Sequence, residues 1–198
     1  MLTRYEVTPE MLLYRFSELI PQFFGIRLHF LRFHNTATGY RLIKQLNMSQ
    51  VLVPSGIGLS EHFCRRWLSV RLLREMEQGQ GPAAPADPPL VGVQLSEFLE
   101  SGERFLCIGF GRPLAMQPDV KSSVIVGFPV DGDLMKVVRF ADDPAIPREI
   151  IHETCERCPL TAEQCAVRGA EPVILQAKQA ERERRLALSR LAAQLREE

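Results

Sequence analysis

The sequence predicts an α+β domain: one antiparallel sheet of about five strands, flanking helices and a long C-terminal helix. Three observations carry this expectation. Short segments alternate apolar and polar residues and are separated by turn material. A capped segment with helical spacing opens the chain. The last 27 residues, from Pro172 to Glu198, contain no glycine and no proline after the first position. At 198 residues, with 45% hydrophobic and 24% charged residues, the composition is that of an ordinary globular chain.

Thr8-Pro9-Glu10 reads as a helix start, because Thr8 can accept from free amides and Pro9 suits the first turn. Leu12, Phe16, Leu19, Ile20 and Phe23 then give an apolar face, and Pro21 and Gly25 are expected to end it. IRLHFLRFH and YRLIKQLN around NTATG read as a hairpin, with Leu28, Phe30 and Leu42 against a core and Arg27, Arg32, Arg41 and Lys44 outward. A second helix is expected from Ser60, as its cap, to Gln78. Residues 79–92 open with four prolines and two glycines and read as a flexible loop.

Leu95–Glu100 is expected to be a short helix. Arg104–Phe110, Ser122–Phe128 and Leu134–Phe140 are the remaining strand candidates, with Asp131-Gly132 as a hairpin signal. A sheet of this count and order suggests a GAF- or PAS-like sensor domain over residues 1–170, followed by a helix over 171–198. That last helix carries Leu188, Leu191 and Leu195 at three- and four-residue spacing, which suits packing across the sheet or a short dimerising coiled coil.

Lysine plus arginine and aspartate plus glutamate both number 24, so the net charge is zero, which argues against a freestanding nucleic-acid binder. No apolar run approaches the roughly 20 residues of a membrane span, and the opening residues are unlike a signal peptide. A soluble, cytoplasmic protein with reduced thiols is expected. The histidines are scattered, and neither H-E-x-x-H nor G-x-S-x-G nor a Walker loop occurs, so no enzyme activity is expected.

The chemistry concentrates in His152-Glu-Thr-Cys155-Glu-Arg-Cys158 and Cys165. A C-x2-C pair with a third cysteine nearby can supply soft thiolate ligands to zinc or an iron–sulfur cluster, and does not suit calcium or magnesium. His152, Cys64, His62 and Cys107 are candidates for a fourth ligand. Cys107 lies in the apolar run FLCIGF and reads as a core residue, whereas Cys64 is flanked by arginines that favour a thiolate. Spacing alone does not choose between Cys64 and His152.

Cys155-x-Arg157-Cys158, then Cys165-x-x-Arg168 and Glu171-Pro172, resemble the C-R-x-C-x-R-x-x-C-x-x-R-x-x-P-P signature of the short-chain fatty acyl transcriptional regulators. SSVIVGFPV and LMKVVRFAD are similar to the paired strands before that signature, and Cys64 with Trp67 is similar to the family's C-P-x-W helix. The resemblance implies a GAF-like domain that binds coenzyme A or a short-chain acyl-CoA, beside a [4Fe–4S] cluster held by Cys64, Cys155, Cys158 and Cys165. Zinc in the same four thiols is the alternative. No helix-turn-helix pattern is visible before Val7, so DNA would be read only through a domain outside this sequence, and a homodimer would match two-fold DNA sites. The ligand's phosphates need cations, for which Arg32, Arg41 and Lys44 on the hairpin and Arg65, Arg66 and Arg71 on the second helix are the candidates.

Overall fold

A computed structural model describes residues 2–36, 39–47, 61–161, 163–168, 180–190 and 192. After a short turn of helix, α1 (Leu2–Tyr5), helix α2 spans Pro9–Phe24. Thr8 caps it by accepting the Met11 amide at 3.2 Å, and Gly25, in the left-handed region at φ 65°, closes it by donating to the Pro21 carbonyl. Pro21 therefore lies inside the helix and does not end it. The buried stripe also differs from the expected one. It runs through Pro9, Leu13 and Ser17, with Tyr14, Phe16 and Ile20 packed beside it, while Phe23 in the last turn is exposed.

The hairpin forms as β1 (His29–Thr36) and β2 (Gly39–Asn47), with a register shift that sets Arg32 opposite Lys44 and Phe33 opposite Leu42. Leu28 and Phe30 are fully buried, and Leu42 packs against the core. So are Leu31 and Phe33 on the alternate face, because both faces of the sheet are covered.

Helix α3 (Leu68–Glu77) is shorter than predicted. Ser60 lies outside the described residues, and Phe63 is extended, in an isolated bridge to Thr154. Backbone pairing with that distant segment competes with helix formation there and wins. Residues 79–89 are irregular, with Asp87 accepting the Ala83 and Ala84 amides, but the predicted loop ends early because Leu90 already begins a strand.

That strand, β3 (Leu90–Phe98), replaces the expected helix over 95–100. It pairs with β4 (Arg104–Pro113) on one side and, in parallel, with β6 (Arg148–Ile151) on the other. Satisfied backbone groups along both edges outweigh the weak local helical pattern. Gly92 lets α3 pack closely here, since a Cβ would stand 2.8 Å from a terminal methyl of Leu68 and 3.0 Å from one of Leu72. β5 (Lys121–Pro129) matches expectation. The predicted strand 134–140 is instead α4 (Gly132–Val137) followed by turns. Asp131 is its cap and accepts from the Asp133 and Leu134 amides, so Asp131-Gly132 starts a helix where a hairpin was expected.

The sheet thus has six strands in the order β2-β1-β5-β4-β3-β6, antiparallel except for β3 with β6. Helix α3 packs one face over Leu31, Phe33, Phe105, Cys107 and Ile125; α2 packs the other over Phe30, Leu106, Val124, Val126 and Phe128. Residues 180–190 are helical and exposed, including Leu186 and Leu188, and the rest of the predicted 171–198 helix lies outside the described residues except for residue 192. Among the described residues no helix is long and apolar enough to cross a membrane.

The first turn of α2 is tied to β4 by Glu10, which receives three hydrogen bonds of 2.8–3.2 Å from the Arg112 guanidinium. Their side chains are only 13% and 16% exposed. Burial pushes the Glu10 carboxyl up, but the Arg112, backbone and Thr8 hydrogen bonds together hold it below its usual 4.5. Glu10→Gln is expected to destabilise the fold by about 2 kcal/mol at neutral pH, by leaving Arg112 without its counter-charge. The difference from wild type should shrink as pH falls below 4.5, where wild type also loses the carboxylate; urea titrations at pH 7 and pH 3.5 check both statements.

Candidate functional site

Two segments far apart in sequence meet at the open end of α3. Residues 61–64 run beside residues 152–155, paired through the Phe63–Thr154 bridge, before the chain turns at residues 65–67 into α3. The Cys64 amide donates to the Glu153 carbonyl at 3.2 Å, and the Cys155 amide donates to the His62 carbonyl at 2.9 Å. Around this pairing the side chains form a brace. Trp67 donates its indole N–H to the His152 carbonyl at 2.7 Å. Glu156 accepts the His62 amide at 2.8 Å and meets His62 Nδ1 at 2.7 Å. Arg157 holds Glu61 with two bonds of 2.8 and 2.9 Å.

The brace places Cys64 beside Cys155. Cys155 Sγ lies 3.9 Å from the Phe63 carbonyl, and each sulfur is close enough for Cys155 to affect the acidity of Cys64. Burial pushes the Cys64 thiol up, and this outweighs the backbone groups and Arg66 that act the other way. The sequence expectation that flanking arginines favour its thiolate is therefore corrected: desolvation dominates. Further along, the Cys165 amide closes a turn onto the Thr161 carbonyl, and Arg168 bridges back to the Cys158 carbonyl at 3.3 Å.

All five cysteines are free; Cys64, Cys158 and Cys165 are buried and Cys155 is half-buried. Cys107 is a core thiol, raised to about 11 by burial, with the Ser96 hydroxyl as its neighbour at 3.7 Å. Among the described residues no three Cys, His, Asp or Glu side chains stand close enough to share one metal ion. The donor chemistry nonetheless fits a soft centre, since four unpaired thiols, three of them buried, lie on the segment before α3 and the segment after β6, which the brace joins at Cys64 and Cys155. Of the alternative ligands, His62 is held by Glu156. His152 is buried with neither ring nitrogen hydrogen-bonded; its Nε2 lies 3.3 Å from Glu100 without hydrogen-bond alignment.

The six candidate cations separate into two groups on opposite faces. Arg32 donates to the Ser122 hydroxyl at 3.3 Å, Lys44 lies 4.2 Å from the centre of the Tyr14 ring on the α2 side, and Arg41 is exposed. Arg65, Arg66 and Arg71 are instead gathered on the α3 side, where with Arg74 they line a hollow of about 210 Å³. Its other wall is Glu149 and residues 164–167, including Cys165. Arg65 and Arg66 are on the turn before α3, not on the helix as predicted. Arg66 Nε and Nη2 are buried without a hydrogen-bond partner, and among the described residues Arg65, Arg66 and Arg74 make no ion pair. Sequence reasoning missed Arg74, one turn after Arg71 on the same helix face, and the Glu61–Arg157 and His62–Glu156 brace, whose partners lie 94 to 96 residues apart.

No protein-family model matches the chain, and neither the curated proteins nor the solved structures contain a match to it.

Proposed function

We propose that the chain is a non-catalytic, GAF-like sensor domain of a bacterial transcriptional regulator that binds coenzyme A or a short-chain acyl-CoA. The observation that carries this reading is the arginine-lined hollow. Three of the cations expected to meet the ligand's phosphates come together there, and a fourth joins them. Arginine suits phosphate oxygens because its planar fork donates two parallel hydrogen bonds. The five antiparallel strands between two helical layers support the GAF-like reading.

In this account Cys64, Cys155, Cys158 and Cys165 hold a [4Fe–4S] cluster, which would supply a redox-sensitive link between the segment before α3 and the chain around Cys165. Because Cys165 is in the wall of the hollow, ligand and metal centre share a boundary. DNA would be read by a helix-turn-helix domain outside this sequence. A ligand shifts such a sensor only if it binds two arrangements with different affinity. The alternative is a zinc staple without small-molecule sensing, and the hydrogen-bonded brace is what favours it: that contact is already closed by protein groups, so a metal there need only reinforce it.

Isothermal titration of the anaerobically purified protein with coenzyme A tests the reading. Binding is expected, weakened tenfold or more by Arg66→Gln and unchanged by Arg41→Gln on the opposite face. Absence of heat with a folded, metal-loaded protein would overturn the ligand assignment.

A further inference from the structure

The hollow beside α3 has a charge imbalance that its own walls do not settle. Arg65, Arg66, Arg71 and Arg74 face it against one carboxylate, Glu149. Arg71 is partly occupied, reaching Glu75 at 3.4 Å and the Val93 carbonyl at 3.5 Å. Arg66 is not: two of its nitrogens are cut off from water and have no acceptor. Buried donors without acceptors are rare in folded proteins, and a guanidinium is the costliest kind to leave so. An oxygen-rich anion in the hollow supplies what is missing: with Arg71 paired to Glu75, three cations face the single carboxylate of Glu149, which matches a compact ligand of about two negative charges.

The wall opposite the arginines is one turn of chain, in which the Gln164 side chain accepts the Thr161 amide at 2.9 Å and Arg168 reaches the Cys158 carbonyl at 3.3 Å. Gln164, Cys165, Ala166 and Val167 belong to a turn closed by the bonds from the Cys165 amide to Thr161 and from the Arg168 amide to Cys165. Cys165 is 9% exposed and borders the hollow. A reagent approaching its sulfur through the hollow competes for the same space as an anion seated among the arginines.

We propose that this hollow is a binding site for a compact polyanion of the pyrophosphate class, and that its occupancy shields Cys165 from thiol-reactive molecules. The inference rests on the sensor reading only in using the same hollow. It adds that the diphosphate part alone suffices for binding and that the bound anion controls access to one thiol of the cysteine set. Cys155, also in that set but absent from the hollow's lining, provides an internal reference.

The test uses the full chain, reduced and freed of metal by chelation under anaerobic conditions. Iodoacetamide is added with and without inorganic pyrophosphate, at ionic strength matched with sodium chloride, and alkylation of each cysteine is followed by mass spectrometry. Pyrophosphate is expected to slow Cys165 at least fivefold while Cys155 changes less than twofold. Arg74→Gln, which removes a half-buried cation, and Arg66→Gln are each expected to abolish the protection; circular dichroism confirms that the variants fold. Equal slowing at both cysteines, no slowing at Cys165, or full protection in both folded variants would overturn the proposal. Coenzyme A in place of pyrophosphate separates the two readings. Protection by pyrophosphate alone keeps the site and rejects coenzyme A as its ligand. Calorimetric binding of coenzyme A with no protection of Cys165 by either compound keeps the ligand and rejects the shielding.

Discussion

Trp67→Ala is expected to destabilise the protein by about 4 kcal/mol, the largest effect of any single side-chain truncation near the candidate site. Trp67 is 4% exposed and makes edge-on or tilted contacts with Phe33, Phe63 and Phe98 at 5.6 to 6.2 Å between ring centres. Its removal leaves a large cavity between α3 and the sheet and also orphans the buried His152 carbonyl. Trp67→Phe keeps most of the packing but loses the indole donor, so it should cost about 1–2 kcal/mol. Because Trp67 is the only tryptophan, far-ultraviolet circular dichroism in urea is the suitable probe. A loss below about 1 kcal/mol for Trp67→Ala would show that the aromatic bracket is not formed. The same variant should raise the reactivity of Cys64, since Trp67 and the Cys64–Glu153 pairing hold the two segments together.

The second large effect is a loss of stability in mild acid. His29 lies opposite Gly127, and its ring occupies the space where a Cβ at that glycine would stand, 2.3 Å away. It packs on the edge of Phe105 and borders a small hollow lined by apolar side chains together with Ser96 and Cys107, so nothing acidic balances a charge there. Burial lowers its imidazole from 6.5 to about 4. The unfolded chain therefore binds a proton that the native state refuses. Stability from this group is complete above pH 6.5 and falls as pH drops toward 4, by about 3 kcal/mol across that window. His29→Phe, which cannot take up the proton, should flatten that part of the profile. Equal slopes for wild type and variant between pH 7 and pH 4.5 would reject the assignment.

Some of the fold was legible because its signals are local. Thr8-Pro9 and Gly25 mark the ends of α2 through backbone groups within four residues, and the hairpin residues alternate around an evident turn. What was misread depends on partners distant in sequence. Val93 to Phe98 has no strong propensity of its own; it is a strand because β4 and β6 supply hydrogen bonds on both sides, β6 from beyond residue 147. Leu134 to Phe140 is rich in strand formers, yet the Asp131 side chain satisfies two amides and starts a helix. Phe63 and Cys64 fit a helical pattern but pair with Thr154 and Glu153, some 90 residues away.

The same contrast holds at the site. The spacing of Cys155, Cys158 and Cys165 is visible in one line of sequence, and the arginines of residues 65–71 are conspicuous. That they form one hollow with Arg74 against Cys165, while Arg32, Arg41 and Lys44 lie elsewhere, depends on sheet topology. The buried His29 was unreadable, because its neighbour across the sheet is a glycine 98 residues later.

The most direct measurement of the central claim is the iron, sulfide and zinc content of the anaerobically purified protein, compared with its Cys64→Ser and Cys107→Ser variants. The account predicts a brown protein with iron and sulfide in equal amounts, lost in Cys64→Ser and retained in Cys107→Ser. Stoichiometric zinc without colour would contradict the cluster and leave a structural staple, and a metal-free protein would contradict a shared metal centre altogether.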